Sequence, residues 1–171
     1  MRYRFFVVLI CVGLGVTGCR SRQTLASAQA VSVERTAPDF ELTALDGSTV
    51  KLSSLRGKSV LLAFWGFACP PCRAEAPHLS ALAEKHAADG LVVLGINGWD
   101  DPRQVVQAYQ EKNNFKHTLL LTGSAVAKSY SIDLYPSCVW INKAGIITDI
   151  QYGSTNAKTL ELRTEKLLQA K

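Results

Sequence analysis

The sequence has no run of lysine or arginine, no interleaving of basic and aromatic residues, and no internal repeat. Its 19 basic and 14 acidic residues leave a formal charge of only +5. Such a balance gives no footing for electrostatic binding of nucleic acid, and none is expected as a partner. Histidine is scarce: His78, His86 and His117 show no spacing of a ligand set and are expected at the surface. Cysteine is sparse as well, five in all with one close pair, Cys69 and Cys72. One pair cannot staple a domain of this size. The longest apolar stretch near the start, residues 5–16, is too short to span a bilayer as a helix.

What is present at the N-terminus reads as an address. Arg2 and Arg4 precede the apolar run, and Val16-Thr17-Gly18-Cys19 resembles a bacterial lipobox. That resemblance implies a signal peptide over residues 1–18, cut before Cys19, whose sulfur would carry a diacylglyceryl anchor. The alternative is an ordinary secretory peptide with Cys19 incidental. Arg20 stands where an aspartate would favour inner-membrane retention, so an outer membrane is favoured if the cell has one. Without Arg2 and Arg4 the balance is 17 basic to 14 acidic, or +3. Residues 19–36, rich in Ser, Arg, Gln, Ala and Thr, read as a flexible tether. Residues 37–171 are long enough for one domain with a real core, and no second boundary is visible.

Val60–Trp65 is apolar at every position, as expected of a strand buried on both faces. A helix is expected from Pro70 to His86, ending near Gly90, with Ala76, Leu79, Leu82 and Ala83 inward. Leu91–Ile96 reads as a second buried strand. Asp100 or Asp101 would cap a helix beginning at Pro102. Thr118–Leu121 reads as a short strand, and Ser124 as the cap of a short helix to Tyr130. Ser137–Ile141 and Ile146–Tyr152 flank the turn Asn142–Gly145, and Phe40–Leu42 and Thr49–Leu52 flank Asp46-Gly47. A last helix carries Leu160, Leu162, Leu167 and Leu168. Alternation of this kind implies parallel central strands with helices on both faces. The order is that of an α/β thioredoxin-like fold, its mixed sheet extended by an N-terminal β-hairpin and a helix–strand insert near 102–122.

Cys69-Pro70-Pro71-Cys72 follows the first buried strand and opens the first helix. Two cysteines so spaced bring their sulfurs within bonding distance at a helix N-terminus, where backbone N–H groups and the dipole stabilise a thiolate. Cys69 is the outer sulfur and is expected to be exposed; Cys72 lies one turn in. Pro70 and Pro71 remove two N–H donors, and no histidine stands between the cysteines. A modestly lowered thiol pKa and a reducing pair are the expectation. A structural disulfide or half of a zinc site is the alternative. Glu75, three residues after Cys72, falls beside the inner sulfur at the edge of the apolar stripe. A solvated glutamate is the plain alternative.

Ala37-Pro38-Asp39-Phe40, Leu55-Arg56-Gly57-Lys58, Phe64-Trp65, the cysteine pair, Glu75, Pro77 and Tyr135-Pro136 before a hairpin with Gly145 occur in one order. In that combination the chain resembles the TlpA/ResA-like family of membrane-tethered, thioredoxin-like thiol–disulfide oxidoreductases, over residues 35–170. The resemblance implies that Cys69 attacks a substrate disulfide and Cys72 resolves the mixed disulfide. It implies that Glu75 handles a proton, in place of the strand carboxylate that thioredoxins carry where Ala63 stands. Pro136 corresponds to a cis-proline facing the cysteines, whose bond would turn the Tyr135 backbone toward an extended substrate. Tyr135 is larger than the residue usual there. Pro77 matches the family's helix kink. Phe67 is expected on an apolar rim around Cys69, and Trp65 under the loop, with Trp99 on the loop after the second strand. Ala68 stands where thioredoxins carry tryptophan. Cys138 reads as a small buried hydrophobe. Implied partners are disulfide-bearing exported proteins, including apocytochromes awaiting haem, and a membrane electron-donor protein. No cofactor or metal is expected.

Two rivals share the fold. A peroxiredoxin-like peroxidase would need threonine three residues before Cys69, where Gly66 stands. A copper-binding module of the related metallochaperones would want three residues between the cysteines. A redox-inert thioredoxin-like module is the third reading.

Overall fold

Within residues 33–169, which the computed structural model describes, the chain opens on a hairpin. Strands β1 (Glu41–Thr43) and β2 (Thr49–Lys51) pair antiparallel as a separate two-stranded sheet. The Asp46-Gly47 turn between them needs a left-handed residue, and Gly47 sits at φ +87°. Phe40 and Leu52, expected at the strand ends, are instead buried in the main core. Then follow β3 (Ser59–Trp65), α1 (Pro70–Lys85), β4 (Leu91–Asn97), α2 (Arg103–Asn113) and β5 (Thr118–Leu120). Last come α3 (Ser124–Ser129), β6 (Ser137–Ile141), β7 (Ile147–Tyr152) and α4 (Ala157–Gln169). The expected signal peptide, the lipidation candidate Cys19 and most of the expected tether lie outside the described residues. Among the described residues no helix is long and apolar enough to cross a membrane.

The second sheet has five strands in the order β5-β4-β3-β6-β7. Strands β3, β4 and β5 run parallel, β6 is antiparallel to β3, and β7 is antiparallel to β6. All of β3 is buried because both faces are covered, which explains its unbroken apolar run. Val60, Leu62 and Phe64 face one core, with Leu94, Ile96, Val126 and Tyr130. Leu61, Ala63 and Trp65 face the other side, under α1, α2 and α4. Fully burying each such Leu or Ile contributes about 1.5–3 kcal/mol. The cysteines therefore sit at the end of the most deeply held strand.

Several expected details differ, each for a tertiary reason. Neither aspartate caps α2: Asp101 is drawn back to Asn97 and the Asp100 carboxylate accepts from the Ser124 N–H at 3.0 Å. Ser124 is therefore the first residue of α3 and receives a cap instead of giving one. In α4 Leu160 and Leu167 are buried but Leu162 is exposed, since a two-residue offset turns it away. His86 is buried, not surface: its ring nitrogens meet Asp89 and Glu161, each at 2.8 Å. Burial alone would lower its pKa, but the bonds to the two carboxylates outweigh that and raise it. His117 is buried too. His78 is exposed, as expected.

Candidate active site

Strand β3 ends at Trp65 and α1 begins at Pro70, so the four-residue crossing places Cys69 at the helix N-cap. The pair is closed as a disulfide, with sulfurs 2.07 Å apart. Pro70 and Pro71 open the helix without N–H groups, so the first backbone donor is Cys72, 3.2 Å from the Cys69 sulfur. Cys69 is only 5% exposed, against the expectation of an exposed outer thiol. It belongs to an apolar cluster with Trp65, Cys72 and Ala76, against which Phe67 and Tyr135 pack, while Ala68, Pro70 and Pro71 alongside are open to solvent.

Two glycines shape the rim. A β-carbon on Gly66 would run into the Trp99 indole, and one on Gly98 into the Tyr135 ring. Trp99 thus lies over the loop before Cys69, half exposed, its ring 5.6 Å from that of Tyr135. The threonine a peroxidatic motif requires has no room at Gly66. From below, Asp101 accepts from the Phe67 N–H at 2.7 Å and from the Asn97 amide at 2.8 Å. That carboxylate ties the loop before the cysteines to the end of β4. Asn97 did not stand out in the sequence, and Asp101 did so only as a helix cap, since its bond to Phe67 crosses 34 residues.

The proline inside α1 has a visible consequence. Pro77 has no N–H for the Arg73 carbonyl, and the Tyr109 hydroxyl reaches that oxygen in a long contact of 3.5 Å. Tyr109, from the helix–strand insert, also packs on Trp65 and Phe67, with ring centroids 5.6 and 5.7 Å away. Phe67 stands on the rim as expected, with the Arg73 guanidinium 5.7 Å above its ring. Phe67, Arg73, Tyr109 and Lys112 line an open groove of about 550 Å³ beside the pair.

Glu75 is buried at 3% exposure, which sets aside the solvated alternative. Its Oε1 accepts from the Thr155 N–H at 3.3 Å, and its Oε2 meets the Cys138 thiol at 3.9 Å. Burial raises its pKa, and those two bonds only partly offset the rise. Cys138, wholly buried, has a pKa raised by burial and then by the Glu75 charge, as suits a packing residue. Tyr135-Pro136 is a cis bond. Cys72, Glu75 and Pro136 line one small enclosed cavity. Among the described residues no three His, Cys, Asp or Glu side chains converge as a metal site.

The AhpC/TSA family model matches residues 33–150. The thioredoxin-like protein YneN of Bacillus subtilis is 29% identical, covering 92% of this chain and 94% of its own. The thiol–disulfide oxidoreductase ResA of Geobacillus kaustophilus is 32% identical, covering 81% of this chain and 79% of its own. Among solved structures, a candidate thiol:disulfide interchange protein DsbE from Chlorobium tepidum superposes with a TM-score of 0.75 at 25% identity. That alignment covers 81% of this chain and 99% of the other. The fold, the bonded pair at a helix N-terminus and these likenesses agree: the chain belongs to the AhpC/TSA family, among its ResA-like, thioredoxin-fold thiol–disulfide oxidoreductases.

Proposed function

We propose that this oxidoreductase works as a reductase of exported proteins, with Cys69 as nucleophile, Cys72 as resolving thiol and Glu75 as proton carrier. The Cys69 thiolate attacks one sulfur of a substrate disulfide and displaces the other as a thiolate, which takes a proton from solvent. Cys72 gives its proton to Glu75 and attacks the Cys69 sulfur, releasing the second substrate thiolate to accept that proton. The substrate gains two electrons and the pair closes. A membrane electron-donor protein returns two electrons to the pair. The observation that carries the reading is a buried, raised-pKa carboxylate sharing a cavity with the inner cysteine. The two prolines, which withhold donors from the Cys69 thiolate, favour the reducing direction. Phe67, Tyr135 and Pro136 are assigned to the substrate-facing surface, and the haem-attachment cysteines of apocytochrome c, when joined as a disulfide, belong to the substrate class.

Glu75→Gln tests the proton step. With Glu75 as base, reduction of a model disulfide should weaken as pH falls through its raised pKa. The glutamine variant should lose that acid limb and about 10²-fold in rate. An unchanged pH profile would remove Glu75 from the mechanism. Stability should move the other way. A group with a raised folded pKa favours the fold below its unfolded value near 4.5 and loses that contribution as pH rises through the folded value. At neutral pH Glu75→Gln should therefore unfold at higher urea than the parent.

Residues 1–18 are proposed as an export signal, Cys19 as the lipid attachment point and 19–36 as the tether of a domain facing the cell envelope, with the outer membrane favoured. The lipobox-like Val16–Cys19 supports this. Cys19→Ser should move the protein from membrane to soluble fractions; retention in the membrane would refute the anchor.

A further inference from the structure

We propose that the enclosed cavity behind Cys72 is an internal water site, held by Trp65 and His117, that hydrates the Cys72 sulfur when the disulfide opens. The proposal rests on the redox reading of the pair and assigns positioning roles to two residues outside its covalent steps.

The cavity comes from the sheet register. Cys138, Ala63, Gly95 and Leu119 stand side by side across β6, β3, β4 and β5. The two middle positions carry almost no side chain, so the floor drops under α1. The space left is about 10 Å³, room for a single water, and Trp65, Cys72, Glu75 and His117 are among its lining. Apolar cavities of this kind stay dry, but this one is not apolar throughout. The Trp65 indole N–H and the His117 Nδ1 are buried without a hydrogen-bond partner among the described residues. His117 is 3% exposed and Trp65 7%. A β-carbon at Gly95 would meet the Leu119 side chain first, at 2.6 Å, and would lie 3.4 Å from both the indole nitrogen and the His117 Cδ2, so both rings border the floor at Gly95 that Leu119 partly fills. Burial drives the His117 pKa down to about 4. Its imidazole is then neutral, with one nitrogen accepting and the other donating.

The chemistry gives such a water a task. In the closed pair the Cys72 sulfur needs no donor. After two electrons and two protons open it, the inner sulfur must be stabilised whenever it ionises to resolve a mixed disulfide. Nearby backbone donors are committed: the Cys72 N–H faces the Cys69 sulfur, and the Thr155 N–H serves Glu75. Pro70 and Pro71 have none to offer. A water anchored by the indole donor and the imidazole can turn a hydrogen toward Cys72 while Glu75, which lines the same cavity, takes the proton.

Two measurements on the purified protein test this. Wild type should give a water–protein cross-relaxation peak at the Trp65 indole proton, and His117→Leu should abolish it. Equilibration with glutathione should show the pair of His117→Leu shifted about tenfold toward the disulfide, about 30 mV, with His117→Gln restoring most of the difference. Should His117→Leu fail to fold, Trp65→Phe removes the indole donor and should give the same shift. Absence of the peak in wild type, or equilibrium constants equal within twofold, would overturn the proposal. The equilibrium is read whichever sulfur attacks first. Failure of the mechanistic reading would instead appear as Cys72→Ala trapping no mixed disulfide while the indole peak persists.

Discussion

Cys69→Ala is expected to lower the rate of disulfide reduction by roughly 10³-fold or more, while Cys72→Ala should halt the reaction at a covalent adduct. The difference follows from position. Cys69 caps α1 beside a solvent-open rim, and Cys72 is one turn deeper, lining the cavity shared with Glu75. A thiol that cannot be reached from outside can still resolve a bond already formed at Cys69. Neither substitution should unfold the domain. The ring closed by the disulfide spans a separation of only three residues, and so short a loop constrains the unfolded chain by about 2 kcal/mol. Mass spectrometry of Cys72→Ala incubated with a peptide disulfide should show one adduct per chain, on Cys69. Equal adduct yields from Cys69→Ala would reverse the assignment of the two sulfurs. If both variants kept wild-type reduction rates, the pair would not be the reactive centre at all.

Much of this was legible in the sequence for a physical reason. Parallel strands covered on both faces must be apolar at every position, so Val60–Trp65 and Leu91–Ile96 stand out without any alignment. The spacing of Cys69, Cys72 and Glu75 on the first turns of a helix puts them together by local geometry alone. What was not legible depends on distant partners. Asp100 and Asp101 look like helix caps until the fold offers Ser124, Asn97 and Phe67 as better-placed donors. His86 looks like a surface residue until α4 brings Glu161 to its second nitrogen. Trp99 comes to the active-site rim because Gly66 leaves it space, a relation between residues 33 positions apart. The cavity needs the register of four strands, which no window of sequence contains.

Trp140→Ala is expected to cost the fold about 3–5 kcal/mol for the lost packing, a large share of the roughly 5–15 kcal/mol typical of a domain. Trp140 is fully buried on β6, in the cluster formed with Leu61, Leu79, Leu160 and Leu167. It is also the peg that fastens α4 to the sheet. Its indole donates to the Thr164 hydroxyl at 3.1 Å, and the Arg163 guanidinium lies 5.5 Å from its ring while bonding Asp149 at 2.8 Å. Truncation would leave a cavity and also strand the buried Thr164 hydroxyl, adding about 1–3 kcal/mol. Trp140→Phe keeps most of the ring and loses only the donor, so about 1–2 kcal/mol is expected. In urea the alanine variant's midpoint should fall by about 2 M and the phenylalanine variant's by well under half of that. The redox equilibrium should stay within twofold in both, because Trp140 lies two residues beyond Cys138, away from the cavity that Cys72 and Glu75 line. Equal destabilisation by the two substitutions would mean that the indole–Thr164 bond, rather than the packing, holds α4 in place. A shift in redox equilibrium with folding intact would instead couple this core to the reactive pair.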